Sequence, residues 1–129
     1  MHCEVVFVKG PIIVPQRALS SREVGAVVEF SGVVREQEDE SQLAGLAYEA
    51  YEPMARREFD RIVSQLIALH AVDDVLVIHR LGDVPVGESS LYVRVEAKHR
   101  GQALAFCGAL IDRMKQDVPI WKKSIGSSR

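Results

Sequence analysis

The run S-S-L-Y-V-R-V-E-A-K, residues 89–98, constrains the fold more than any other stretch. Leu91, Val93, Val95 and Ala97 alternate with Tyr92, Arg94, Glu96 and Lys98, the period of a half-buried strand with one face on a core and the other in water. Such a strand needs something apolar laid against it. A cover follows at once, because residues 101–115 place Leu104, Cys107, Leu110, Ile111 and Met114 at helical steps. Residues 53–71 repeat the pattern with Met54, Phe59, Ile62, Val63, Leu66 and Leu69. Pro53 suits the first turn of that helix, where its missing N–H needs no partner.

Further strands are expected at residues 3–8, 25–35, 43–51 and 75–81, each rich in β-branched or aromatic residues. Gly10-Pro11 closes the first. Residues 12–15 read as irregular or as a short edge piece, since Pro15 cannot donate to a ladder, and residues 17–24 as a short helix. Gly25, Ser31 and Gly32 mark a bulge or a close approach by another backbone. The acidic run E-Q-E-D-E-S-Q, residues 36–42, has no apolar anchor and reads as an exposed, mobile loop. Gly82, Pro85 and Gly87 make a turn. The order is β, β, β, α, β, β, α, tail, without repeats or linkers. It predicts one α+β domain over residues 1–129, with its helices against a mostly antiparallel sheet.

At 129 residues the chain is long enough to bury a core without disulfides or metals. Sixteen Lys and Arg against eighteen Asp and Glu leave a net charge of -2, which argues against a general nucleic-acid or anionic-membrane binder. Any anion site must be local. Cys3 and Cys107 stand far apart and no Cys/His cluster has metal spacing, so the expectation is free thiols in a reducing cytoplasm and no metal. No apolar run approaches the roughly 20 residues of a bilayer span, and no basic leader marks export.

Phosphate loops of the Walker and dinucleotide types, G-x-S-x-G and H-E-x-x-H are all absent. What remains is a set of cations at predicted strand ends: Arg35, His79-Arg80, His99-Arg100, and Lys122-Lys123 after the second helix. Gathered together they would hold phosphate or carboxylate, Arg by paired hydrogen bonds and Lys as a point charge. His79, inside an apolar strand, reads first as a hydrogen-bonded core histidine, whereas His99 reads as exposed and functional. Lys122 directly follows Trp121, and desolvation against the indole would make it a nucleophile or acid/base. Phe30 reads as core before it reads as a stacking platform.

Several motifs in order carry a resemblance. G-A-V-V-E-F-S-G-V-V-R (residues 25–35), Y-E-A-Y-x-x-M (48–54), V-I-H-R-L-G (77–82), V-x-V-E-A-K-H-R (93–100) and P-I-W-K-K (119–123) closely resemble the large, catalytic subunit of molybdopterin synthase. The resemblance implies an α/β-hammerhead-like α+β fold and a sulfurtransferase of molybdenum cofactor biosynthesis. The implied substrate is cyclic pyranopterin monophosphate (precursor Z), which receives sulfur from the C-terminal thiocarboxylate of a small ubiquitin-like carrier subunit, with no further cofactor. It also implies a central homodimer within a heterotetramer. By position, Lys122 and His99 become catalytic, while Arg35, Arg100, Lys123 and Phe30 bind substrate. Family members usually continue past W-K-K with an acidic residue, a basic residue and a tryptophan-containing strand, where this chain has S-I-G-S-S-R. Two other readings follow from the same residues. One is a carrier-binding member with an incomplete pocket that does no chemistry; the other is a small domain sensing a phosphorylated metabolite through His99, Arg100 and Lys122.

Overall fold

The most apolar strand, β5 (Asp74–Arg80), is buried along its whole length. A strand with that composition has to be covered on both faces and paired on both edges. In the computed structural model, which describes residues 1–38 and 41–126, β1 (His2–Val8) runs parallel to one edge of β5 and β7 (Ser89–Ala97) antiparallel to the other. β2 (Ala26–Val33) lies outside β7, giving the order β1-β5-β7-β2. Helices α1 (Glu52–Ile67) and α2 (Arg100–Asp117) cover one face. There Val75, Val77, Val93 and Val95 meet Phe59, Ile62, Phe106 and Leu110 in the main core.

A second sheet is built on β4 (Ser41–Ala50). β6 (Gly82–Pro85) pairs with one edge, β8 (Ile120–Gly126) with the other, and the short β3 (Gln37–Glu38) with its first residues, all antiparallel. Its own small core is Val34, Leu43, Leu46 and Val84. The chain is thus α+β, as the sequence predicts, with β1 and β5 as a parallel pair in a mostly antiparallel architecture. The division into two sheets was not foreseen, because β6 is hidden among turn residues and β8 in a polar tail. Among the described residues no helix is long and apolar enough to cross a membrane.

Four expectations are corrected. β7 is not half-buried: residues 90–97 are all buried. The alternation is real, but its polar residues pair with one another and with the segment lying over them. Tyr92 Oη donates to Glu29 Oε2 at 2.6 Å, Arg94 pairs with Glu96, and Ser20 donates to Glu96 Oε1 through its amide at 2.9 Å and its hydroxyl at 2.6 Å. Burial would raise the Glu96 carboxyl, but the Ser20 and Arg94 hydrogen bonds outweigh it and hold it below the usual range. Those bonds also explain why residues 17–24 form no helix: Ser20 is committed to Glu96, and Ser21 Oγ accepts from the Glu23 amide instead of letting the turn propagate.

The helix stripes also shift. α1 buries Ala55, Phe59, Ile62, Val63 and Leu66, while Met54 sits one residue off the stripe and Leu69, 73% exposed, lies beyond the helix end. α2 buries Ala103, Phe106, Cys107, Leu110 and Met114, leaving Leu104 57% exposed. Lastly, part of the acidic run is paired rather than a loop, Gln37 with Gln42 and Glu38 with Ser41; residues 39–40 lie outside the description.

The predicted close approach is found at Gly25, where any Cβ would collide with the Lys98 carbonyl oxygen. Gly32 instead sits at the register shift of β2 against β7. Gly25→Ala is therefore expected to destabilise the protein by about 1–3 kcal/mol in urea unfolding. Gly10→Ala, with open space around it, should stay within about 0.5 kcal/mol of the parent.

Candidate functional site

A cavity of about 630 Å³ opens between the two sheets and the C-terminal end of α2. Its size is that of a site for a small organic ligand. β2 contributes Phe30, and Arg35 follows two residues after that strand ends. The position of Arg35 is fixed by its neighbour Val34, whose amide donates to Glu88 O at 3.0 Å and whose carbonyl accepts from Gly87 at 2.8 Å. β4 supplies Tyr48, β5 supplies His79, and the last turns of α2 supply Met114 and Lys115. β8 supplies Ile120 and Lys122.

The pairing of β8 with β4 selects between the adjacent lysines. Lys122 stands opposite Tyr48 and Ile120 opposite Ala50, so these share the cavity face of the sheet. Lys123 pairs with Ala47 and Trp121 with Glu49 on the other face. Lys123 does not line the cavity. Nor does Trp121 desolvate Lys122, as its direct succession had suggested: successive strand residues point to opposite faces, and the indole is 59% exposed.

Phe30, Arg35 and Lys122 are therefore brought together, and Lys115 joins them. His99 and Arg100 are not. They are exposed at the start of α2, about 22 Å of helix from Lys115 at 1.5 Å per residue. The strand pairing agrees, since Ala26 pairs with Ala97 beside His99, while Val33 pairs with Ser89 at the end near Arg35. The His99–Arg100 pair and the first amides of α2 form a separate cationic end.

His79, read as a core residue, does both things: it is only 4% exposed and it lines the cavity. Its Nδ1 lies 2.8 Å from Arg80 O, and its ring meets Tyr48 edge-on at 5.1 Å between centroids. Burial pushes the imidazole below its usual range, against the smaller raising effect of the Arg80 carbonyl. Neither thiol belongs to the site: burial pushes Cys3 up to about 11, with Asp60 and Asp74 adding to it, and burial also raises Cys107. Among the described residues, no group of His, Cys, Asp and Glu is placed to hold a metal ion.

Comparison with known proteins gives this arrangement a family. The sequence profile described as MoaE protein matches residues 9–117. The chain belongs to the MoaE family. A molybdopterin synthase catalytic subunit from Oryza sativa subsp. indica is 42% identical over 101 residues, covering 78% of this chain and 52% of the rice protein. The chain thus spans about half the length of that relative. Among solved structures, molybdopterin synthase from Staphylococcus aureus superposes with a TM-score of 0.83 at 29% identity, covering 96% of this chain and 92% of the other. A chain from the complex of subunits 1 and 2 of molybdopterin-converting factor from Helicobacter pylori 26695 superposes at 0.69 with 28% identity, covering 97% and 90%.

The stretch matched to MoaE holds Phe30, Arg35, His99, Arg100 and Lys115 and ends before β8. Lys115 escaped the sequence reading because a lysine in a last helical turn looks like an ordinary complement to the helix dipole. Its one available signal was Met114, the preceding inward residue. For the buried imidazole of this MoaE chain a pH dependence follows. A lowered folded value means the unfolded chain binds the proton more readily. The stability His79 contributes is then complete above its unfolded value of about 6.5 and is lost as pH falls toward the lower folded one. Urea unfolding at pH 7 and pH 5 should show this loss, and His79→Asn should flatten it.

Proposed function

We propose that the chain is the catalytic subunit of a molybdopterin synthase and that the cavity between its sheets is where the chemistry occurs. The observation that carries this is the convergence of Arg35, Lys115 and Lys122 from three different elements on one cavity that also has the apolar and aromatic wall of Phe30, Tyr48 and Met114. Such a site suits a flat heterocycle bearing a phosphate, and cyclic pyranopterin monophosphate is one. The second reactant, a thiocarboxylate at the end of a small ubiquitin-like carrier, is also anionic, and the same cations offset the repulsion between the two. The relative in the Helicobacter complex, bound to its companion subunit, supports a carrier as partner. The two thiols, held protonated by burial, suit a cytoplasmic setting.

In this reading Arg35 and Lys115 orient the phosphate. Lys122 moves a proton as the thiocarboxylate sulfur attacks the pterin side chain and displaces a phosphate-ester oxygen there; water then cleaves the acyl–sulfur bond, leaving the sulfur on the pterin and a carboxylate on the carrier. Phe30 forms part of the wall against which the heterocycle rests. His99 and Arg100 are at the far end of α2, so they serve a cavity from the neighbouring chain of a homodimer, with one carrier at each end of the assembly.

A single-turnover assay with thiocarboxylated carrier and cyclic pyranopterin monophosphate tests the assignment. Lys122→Ala should lose at least roughly 100-fold in rate, and Lys123→Ala should stay within about twofold of the parent, since its side chain leaves the opposite face. Product formed by Lys122→Ala at the parental rate would overturn the assignment. The shared site makes a second prediction. Lys122→Ala and His99→Ala chains, each inactive alone, should recover about a quarter of parental activity when dissociated and remixed, because half the dimers then hold one intact site.

A further inference from the structure

The cavity groups divide by what they can offer a ligand. Arg35, Lys115 and Lys122 carry only donors, the complement of an anion's oxygens. His79 offers the opposite. A carbonyl oxygen can only accept, so the 2.8 Å contact with Arg80 O puts the ring proton on Nδ1. Burial against β1 and β4, with Phe7 at 6.5 Å and Tyr48 at 5.1 Å between ring centroids, disfavours a second proton. Nε2 is left with a lone pair. Among the described residues, the buried side-chain atoms without a partner are Asp73 Oδ2 and Arg80 Nε. Nε2 of His79 is not one of them, the ring's hydrogen bond among the described residues is made by Nδ1, and the residue lines the cavity, so the lone pair opens onto it. A neutral acceptor repels phosphate oxygens and carboxylate-like groups, and it pairs with an N–H or O–H.

Building on the function proposed above, we propose that His79 determines orientation and specificity in the cavity. Its Nε2 accepts a hydrogen bond from an N–H of the ligand's uncharged heterocycle, and this turns the phosphate toward Arg35, Lys115 and Lys122. The cavity then offers two kinds of contact, cations that read negative charge and an acceptor that reads a ring donor. A phosphate without a donor-bearing ring satisfies only the first.

Two substitutions separate this role from a structural one. In His79→Asn the amide N–H can replace Nδ1 toward Arg80 O while the outer acceptor is lost; in His79→Gln the amide oxygen can reach the place of Nε2. Isothermal titration of the folded protein with cyclic pyranopterin monophosphate should show roughly 10-fold weaker binding for His79→Asn and substantial recovery for His79→Gln. Binding of inorganic phosphate should be the same in all three proteins. In ¹⁵N spectra of the parent, Nε2 should be unprotonated and should shift on adding the pterin but not phosphate. Equal weakening toward pterin and phosphate would make His79 merely structural and overturn the proposal. So would unchanged pterin affinity in His79→Asn, or a proton found on Nε2 in the parent. A parent that fails to bind the pterin at all would instead overturn the proposed function, and this inference with it. If His79→Asn does not fold, the Gln variant and the parental spectra still decide.

Discussion

Shift β8 by one residue against β4 and Lys123, instead of Lys122, would face the cavity. A strand's side chains alternate, so a single step of register exchanges everything one face presents. The register is held from both ends of the pairing. Ile120 stands opposite Ala50 on the cavity face, where slipping would carry it outward, and the Tyr51 amide donates to Pro119 O at 3.3 Å just before the ladder begins. Near the other end, Gly45 lies where a Cβ would come within 2.5 Å of Val84 O, so β4 and β6 approach closely only because that residue has no side chain. The placement of one lysine therefore rests on packing several residues away.

The first sheet contributes in a different way. Its helix-covered face is an ordinary apolar core, and that core carries β5 to the cavity with His79 as the last inward residue. Its other face joins an apolar cluster of Leu76, Ile78 and Tyr92 to a buried polar set on β7, Tyr92–Glu29, Arg94–Glu96 and Ser20. A buried set of this kind adds little net stability against an apolar alternative, but breaking one member leaves the others unsatisfied. Its role here is to fix the crossing from β1 to β2, and so the path of the strand that ends beside Arg35.

Much of this was legible in the sequence where a local pattern decided it. The strands around residues 3–8 and 75–81 declared themselves by composition, residues 89–98 and both helices by period, and Arg35 and Lys122 by following the ends of predicted elements. What was not legible depended on pairing. Nothing local separates Lys122 from Lys123, or tells that the polar side of β7 is roofed by residues 9–25. β6 and β8 lack the apolar composition of strands because each borrows its burial from β4. The separation of His99 and Arg100 from the cavity was hidden too, since the motifs place them beside the site in sequence order while α2 carries the chain away from them. His79 stood among the strand-end candidates but read first as core, because an apolar strand gives no sign that its last inward residue opens onto a cavity.

In the proposed function, one cavity takes a pterin phosphate with its charge toward Arg35, Lys115 and Lys122 and its ring toward His79. A crystal structure of the protein with cyclic pyranopterin monophosphate tests that most directly. The phosphate should lie within hydrogen-bonding distance of those three cations, with a ring N–H facing His79 Nε2. Phosphate density against His79 Nε2, or the ligand bound outside this cavity, would contradict it.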